Sequence, residues 1–301
     1  MIVYLNLFRC EIEVVTMLKH ICLGMALWML AAASYAEPFV FTAIRGQNEQ
    51  RMQQRFGAVA TYLQNALRVK VNYFPVKSQA DAVTAFQNNQ VQLAWLDGLS
   101  GIRARNGIEG AQVIAQGLQD SAAQTYFIAH ISSGLRPNGQ FPKGIQGKTF
   151  LFGAKESTSD HLIPEYYIRQ AFGKAPKKTF RSVSFNTDSS RAIASLQAGA
   201  YQVGVIGIKV WERELANGKI DKSKVRVIWK TPPYSDYQWS VRGDVDQIYG
   251  QGFTARLKTV LLTLHERAPQ LLTPFSLKQF IAADNEDVQP IYEVAKSIGL
   301  I

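Results

Sequence analysis

Three consecutive hydroxyl side chains, Ser157, Thr158 and Ser159, are the residues of this chain best suited to holding an anion. They lie between an apolar run typical of a β-strand, residues 148–152, and a helical pattern over residues 161–172. A helix N-terminus carries unpaired backbone N–H groups and a partial positive charge, and hydroxyls there either cap the helix or donate to a ligand. The sequence leaves both interpretations open at this turn.

A weak internal repeat pairs this turn with a second polar turn. The shift that lays Gln47 and Asn48 on Ser157 and Thr158 also aligns strand-like and helical segments in the two halves. Each half has the order strand, helix, strand, helix, strand, which indicates two α/β units with mostly parallel sheets. Ligands bind beyond the carboxyl ends of the strands in such sheets. We therefore expect the two turns to face each other across a cleft and to hold one small anion.

Hydrophobic periodicity places the elements that would carry these turns. The predicted strands lie near residues 39–44, 69–74, 91–96, 148–152, 179–184 and 202–206, and the predicted helices near 49–67, 79–88, 161–172, 188–198, 246–264, 276–282 and 287–298. Two more strand-like runs, 125–130 and 237–241, would carry the chain into the second unit and back, and two such crossings make a hinge. We predict lobe 1 at residues 37–128, lobe 2 at 129–235, and a return to lobe 1 with C-terminal helices at 236–301.

The first 36 residues have the order of a cleaved signal peptide: a basic Lys19, an apolar run over residues 21–33, and a small-x-Ala end at Ala36. The apolar run is shorter than the ~20 residues that a membrane-spanning helix needs. A translation start at Met17 would fit this pattern better than a start at Met1. Both cysteines lie in the segment that cleavage removes, so we expect neither a disulfide nor a cysteine-based metal site in the exported protein.

The charge balance narrows the class of partner. A formal net charge of +10 favours anionic partners through long-range steering, although an exported protein can also simply be basic. Lysine and arginine are scattered along the chain without a block or an aromatic-basic stripe. We therefore expect no nucleic-acid partner.

A catalytic role for the hydroxyl turn is the first rival interpretation. Ser159, Asp160 and His161 are adjacent in sequence, and neighbouring side chains point in different directions, so they do not readily form a nucleophile, base and orienting group in line. The sequence contains no Gly-x-Ser-x-Gly elbow, no His-Glu-x-x-His and no phosphate loop. We expect no enzyme, no cofactor and no metal.

Several stretches together resemble a known family. These landmarks are the polar turn after residue 44, residues 83–95, the hydroxyl turn, residues 224–232, and the run Asp236-Tyr237-Gln238-Trp239. They resemble the periplasmic substrate-binding proteins of ABC transporters, in the phosphonate/phosphite-binding family, and most of all its branch of selenate-binding proteins. The resemblance implies a two-lobed α/β periplasmic binding protein of type II, with two crossing strands and a tetrahedral oxyanion in the cleft.

The chain departs from the family pattern beside the expected site. The family usually has glycine on both sides of the hydroxyl triplet, where this chain has Glu156 and Asp160, which would repel an anion unless they point away or pair with a cation. Ser189 stands where phosphonate binders place a histidine. Leu96 stands where the family has a pocket aromatic, and Asp97 where it has glycine. Asp97 either accepts a hydroxyl of a protonated anion or is an ordinary turn residue.

The residues expected to contact the ligand are Gln47, Asn48, Trp95, Leu96, Asp97, Ser157, Thr158, Ser159 and Ser189. We expect an exported, monomeric, periplasmic protein that captures a selenate-, phosphonate- or phosphite-like oxyanion and delivers it to the membrane subunits of an ABC permease. Two alternatives stay open from the sequence, namely a ligand-sensing module that docks on a receptor and a hydrolase of small esters. For Trp95, packing in the core is the competing role.

Overall fold

The structure of the protein is a computed structural model, and it describes residues 37–43 and 49–301. Pro38–Ile301 form one compact unit. The predicted signal peptide, its start site, and the ligand contacts assigned to Gln47 and Asn48 lie outside the described residues, so these assignments stay predictions. Among the helices that the structure describes, none is both long and apolar enough to cross a membrane.

Short strands and helices alternate along most of the chain. The strands are β1 (Phe39–Ala43), β2 (Val71–Tyr73), β3 (Leu93–Leu96), β4 (Gln112–Gly117), β5 (Thr125–His130), β6 (Thr149–Phe152), β7 (Ser182–Phe185), β8 (Val203–Gly207), β9 (Val225–Lys230), β10 (Gln238–Val241) and β11 (Phe280–Ala282). The helices are α1 (Glu49–Leu67), α2 (Gln79–Gln87), α3 (Gly98–Arg105), α4 (Ile163–Phe172), α5 (Pro176–Thr179), α6 (Ser189–Gln197), α7 (Ile208–Ala216), α8 (Val245–Tyr249), α9 (Phe253–Leu262), α10 (Leu264–Arg267) and α11 (Gln289–Ser297). A π-helical turn, Thr158–Leu162, precedes α4, and 3₁₀ turns cover Ile131–Ser133, Lys143–Ile145 and Pro269–Phe275.

The strands form two mixed sheets of matching design. The first sheet has the order β11-β4-β10-β3-β1-β2, and the second has the order β7-β6-β8-β5-β9. Parallel pairs join β1 to β2 and β3 in the first sheet, and β6 to β7 and β8 in the second. In the first sheet β10 runs antiparallel to β3 and β4, as β5 does to β8 and β9 in the second, and β11 is antiparallel to β4. The predicted two-lobed α/β fold is confirmed, and the two lobes are named below after their sheets.

Aromatic side chains fill the core of each lobe. In the first lobe Trp95, Trp239 and Phe275 pack against one another in a fully buried cluster that also receives the apolar face of α1. In the second lobe Phe127 and Phe150 hold the corresponding position between the sheet and its helices. These cores hold the carboxyl ends of the strands in place, and the turns that follow those strands meet at the cleft.

Two segments cross between the lobes and pair with each other. Ala123 and Tyr234 form an antiparallel bridge in which each backbone N–H donates to the other residue's carbonyl at 2.9 Å. The sequence places the crossings in runs 125–130 and 237–241, but those runs are β5 and β10, each hydrogen-bonded on both sides within one sheet. The crossings therefore lie in the short segments before each of these strands.

Several other elements differ from the sequence predictions, and β4, α7 and β9 are absent from those predictions. The helix predicted at 276–282 is wrong, because Phe280–Ala282 form β11 and pair with β4. The strand predicted from residue 179 begins at Ser182, since the preceding residues form the short helix α5. Helix α3 was not predicted. It contains Gly98 and Gly101, which lower helix propensity, so that its sequence shows no strong helical pattern.

Candidate functional site

The hydroxyl turn begins a π-helical turn at the carboxyl edge of the second sheet. The Ser157 hydroxyl accepts from the Asp160 N–H at 3.0 Å, and the Ser157 carbonyl accepts from the Leu162 N–H at 3.0 Å. Ser157 is therefore a helix cap, as one of the two sequence interpretations has it. Its hydroxyl lies 3.3 Å from that of Ser159. Single π-helical turns of this kind are frequent at functional sites.

Thr158 connects the hydroxyl turn to the first lobe. Its side chain is fully buried, and its hydroxyl oxygen accepts from the Leu99 N–H, at the start of α3, at 2.8 Å. Its own backbone N–H donates to the Asp97 carboxylate at 3.4 Å. Because Asp97 also accepts from the Ser100 N–H at 2.9 Å, it is the N-cap of α3. Two helix N-termini from different lobes thus meet, and each supplies an acceptor to the other.

A second buried carboxyl group, that of Asp236, lies beside this junction on the crossing segment before β10. Its side chain accepts from the Gly98 N–H at a long distance of 3.5 Å. Burial raises the pKa of Asp236 well above its ordinary value, and the neighbouring charges of Asp97 and Asp120 raise it further. Burial also raises the pKa of Asp97, although hydrogen bonds from Ser100 and Thr158 oppose that rise.

A cation that acts on this group of carboxyls is Lys209, at the start of α7. Its ammonium forms an ion pair with Asp120, whose side chain is almost fully buried. Lys209 also lowers the pKa of Asp236, but burial and the two aspartates outweigh it. The junction therefore combines N–H donors of two helix N-termini with a set of buried carboxyl groups, of which Asp236 is the one most strongly held in its protonated form.

Asp160, the residue that replaces a family glycine, turns into the second lobe. Its carboxylate accepts from the Gly207 N–H at the end of β8 at 2.7 Å. Burial raises the pKa of Asp160 to about 6, and the charge of Asp97 adds to the rise. Gly153 leaves the space that this side chain occupies, because a Cβ at Gly153 would lie 2.4 Å from the Asp160 Cβ. Asp160 thus packs between the ends of β6 and β8 in the second lobe and does not reach across to the first lobe.

The geometry around His161 disagrees with a serine–histidine–aspartate arrangement. Its Nδ1 lies 2.7 Å from the Lys155 carbonyl, and its Nε2 lies 2.8 Å from the Glu165 carboxylate. Glu165 also pairs with Arg169 one turn further along α4. Both ring nitrogens are therefore used within the helix and its preceding turn, and neither is directed at a serine hydroxyl.

The structure brings some of the predicted ligand residues together and separates others. Asp97, Thr158 and Ser159 lie at the junction, with Ser157 as its cap. Trp95 is fully buried in the first-lobe core and stacks on Tyr237, and Leu96 is fully buried on the other face of the same sheet. Ser189 lies in the first turn of α6, which Asp188 caps. Ligand contacts by these residues stay predictions.

Sequence reasoning missed three side chains at the junction: Thr125, Tyr234 and Asp236. The Thr125 hydroxyl donates to the Ser159 carbonyl at 2.7 Å and lies 2.7 Å from the Tyr234 hydroxyl. Burial raises the pKa of Tyr234 well above its ordinary value, so this hydroxyl stays protonated. Asp236 lies two residues before β10, in one of the stretches that carry the family resemblance, and that membership was the signal available in the sequence. Nothing in the sequence pattern singles out Thr125.

Comparisons with known proteins agree with this architecture. The family described as "ABC transporter, phosphonate, periplasmic substrate-binding protein" matches residues 41–288. A probable ABC transporter phosphite binding protein from Prochlorococcus marinus is 33% identical over 264 residues, which cover 86% of this chain and 89% of that protein.

Two solved structures extend the comparison to the fold. The P. marinus protein PhnD1, in complex with methylphosphonate, superimposes with a TM-score of 0.78 at 32% identity, covering 88% of this chain and 100% of that one. A binding protein component of an ABC phosphonate transporter from Pseudomonas aeruginosa has a TM-score of 0.68 at 19% identity, with 85% of both chains covered, and this shows the shared fold alone. The family consists of transport binding proteins and not of enzymes. The match covers most of the chain, and the protein therefore belongs to the phosphonate-binding family of periplasmic ABC-transporter substrate-binding proteins.

Proposed function

We propose that this protein, after export and removal of its signal peptide, captures a phosphite- or phosphonate-like oxyanion between its lobes and delivers it to an ABC permease. The observation that carries the proposal is the meeting of two helix N-termini at Thr158 and Leu99. Backbone N–H groups at helix N-termini are suited to binding an anion, because they combine hydrogen-bond donors with a partial positive charge.

The donors at the junction fit a tetrahedral oxyanion. Ser157, Thr158 and Ser159 would provide hydroxyls and N–H groups from the second lobe, and the start of α3 would provide N–H groups from the first, in exchange for bonds that these groups now make to one another and to Asp97. Asp236, kept protonated, adds an O–H donor. Gln47 and Asn48, which lie outside the described residues, would add further donors. Fixed neutral donors act strongly in a dry cleft, because the local dielectric is low.

Closing of the lobes around the ligand would then present one shape to the permease. A ligand can shift the equilibrium between an open and a closed conformation only if it binds one of them more tightly than the other. An anion that contacts both helix N-termini binds the closed conformation more tightly, because it can reach only one helix N-terminus when the lobes are apart. The Ala123–Tyr234 bridge between the crossing segments would serve as the hinge, because it is an isolated bridge outside both sheets.

Calorimetry of the protein purified from the periplasm tests this function. Phosphite and methylphosphonate are expected to bind, and selenate, sulfate and phosphate measure the breadth of the site. Thr158→Val should weaken binding of phosphite about tenfold or more, because losing a hydrogen bond to a charged ligand costs ~1.5–3 kcal/mol. Thr61→Val is the matched control, since the Thr61 hydroxyl bonds only within the exposed face of α1. Absence of binding by every anion in the panel would overturn the proposal.

A further inference from the structure

Asp97 places a carboxylate of the protein itself between the two helix N-termini. One oxygen accepts from Ser100 N–H of its own helix at 2.9 Å, and the other accepts from Thr158 N–H of the opposite lobe at 3.4 Å. The side chain is only 3% exposed. These N–H groups are of the kind that a helix N-terminus offers to a bound anion. The carboxylate therefore already uses part of the donor set that an oxyanion in the cleft would need.

We propose that the Asp97 carboxylate acts as an internal anion that makes this site select singly charged over doubly charged oxyanions. The inference rests on the proposed function and identifies the residue that sets the preferred charge of the ligand. A ligand with a second negative charge meets the full repulsion of Asp97, whereas a ligand that keeps one proton can turn its hydroxyl toward the Asp97 oxygen and donate to it.

Several of the described groups packed around Asp97 are themselves acidic. From its own helix Asp97 receives the Ser100 N–H, and from the π-helical turn it faces Thr158 and, further in, Asp160. From the crossing segment it faces Tyr234 and Asp236. Further out, Asp120 acts on Asp236 and is itself paired with the ammonium of Lys209. Because that ammonium is engaged by Asp120, an added dianion gains little from Lys209 to offset its second charge.

The hydrogen bonds show which member of the aspartate pair carries the charge. Asp97 accepts a backbone N–H bond from Ser100 at 2.9 Å and a long one from Thr158 at 3.4 Å, whereas Asp236 accepts one bond, from Gly98 at 3.5 Å. Hydrogen bonds to the charged form favour ionisation, so Asp97 is ionised and Asp236 keeps the proton. One charge and one O–H donor then face the ligand. This pattern suits an anion that both donates and accepts.

The test compares methylphosphonate with its monomethyl ester, which has a methoxy group in place of the second ionisable hydroxyl and so stays singly charged. Methylphosphonate gains a second charge as the pH rises, and its monomethyl ester does not. Kd values are measured by calorimetry below and above the second ionisation of methylphosphonate. In the wild type, methylphosphonate should lose at least about tenfold in affinity relative to the ester across this interval. Asp97→Asn keeps a side-chain oxygen that can cap α3. In this variant the relative loss should be about tenfold smaller than in the wild type.

Asp246→Asn is the matched control, because Asp246 also accepts from backbone N–H groups at the start of a helix, α9, but lies outside the junction. It should leave the relative loss unchanged. Asp97→Ser provides a second uncharged cap in case Asp97→Asn folds poorly. If both Asp97 variants fold and keep the wild-type ratio of the two ligands, the inference is wrong. Failure of the wild type to bind either ligand, together with absence of binding by every anion in the calorimetric panel, would instead contradict the proposed function.

Discussion

Asp97 and Asp160 are two buried aspartates on either side of the hydroxyl turn, and they have opposite connections. Asp97 belongs to the first lobe and accepts from Thr158 of the second, so its charge acts across the cleft. Asp160 follows the hydroxyl turn but accepts from Gly207 within its own lobe. An aspartate thus serves ligand selection at position 97, where it bonds to the opposite lobe, and local folding at position 160, where it bonds within its own lobe.

The difference also explains how the chain tolerates its departures from the family pattern. A carboxylate that replaces a glycine beside an anion site would repel the ligand if it faced the cleft. Asp160 avoids the cleft because Gly153 leaves space for its side chain and Gly207 provides an N–H. Asp97 remains at the cleft, and its two N–H bonds stabilise its charge there.

Gly153→Ala should produce the largest effect on the Asp160 side of the comparison. The new methyl group would lie 2.4 Å from the Asp160 Cβ, so the turn must shift. We expect the free energy of unfolding to fall by about 3 kcal/mol, as for an overpacked core. Denaturant titration measures this. Gly57→Ala, in α1 with open space around the added methyl, should not destabilise the protein, and an equal loss in both variants would contradict the role given to Gly153.

Asp160→Asn should flatten part of the pH dependence of stability. Burial raises the folded-state pKa of Asp160 from 3.8 to about 6. Its stabilising contribution is therefore complete below pH 3.8 and is lost as the pH rises to about 6, because the unfolded chain ionises first. The loss is about 2–3 kcal/mol for a shift of this size. Asparagine does not titrate, so the difference between wild type and variant should change over this interval.

Urea titrations across this pH interval measure the difference, which isolates Asp160 from the other buried aspartates. Asp246 supplies a control of opposite sign. Its hydrogen bonds with Thr254 lower its pKa, so its contribution is present at higher pH and is lost as the pH falls. Asp246→Asn should therefore lose stability relative to wild type on the alkaline side. A constant difference for Asp160→Asn at every pH would show that the carboxyl does not titrate as described.

The sequence predicts the architecture better than it predicts the site. The two-unit pattern follows from alternating periodicities, and the cap at Ser157 follows from local chemistry, both of which a short window of sequence contains. The bond between Thr158 and Leu99 depends on how two distant turns meet. The same is true of the pKa of Asp236, which burial sets. Trp95 illustrates what the sequence alone does not decide. A tryptophan at the end of a strand is equally compatible with a ligand pocket and with the core, and Trp95 is buried in the core.

Tyr234→Phe should give the smallest change in stability, and it tests whether charge selection depends on Asp97 or on the crossing segment. Thr125 has one hydroxyl proton and donates it to the Ser159 carbonyl, so the Tyr234 O–H must be the donor to Thr125. Phenylalanine removes this donor but keeps the ring in the apolar cluster between the lobes. We expect a loss of about 1 kcal/mol in unfolding free energy, the net value of one hydrogen bond.

Tyr234→Phe should leave the ratio of affinities for singly and doubly charged ligands unchanged. Burial and the neighbouring carboxylates keep the Tyr234 hydroxyl protonated, so it carries no charge that the ligand could sense. Calorimetry with methylphosphonate and its monomethyl ester measures the ratio. If Tyr234→Phe shifted it as strongly as Asp97→Asn does, the hydroxyl and not the carboxylate would set the preferred charge. Charge selection would then belong to the crossing segment, and the contrast between Asp97 and Asp160 would lose its functional meaning.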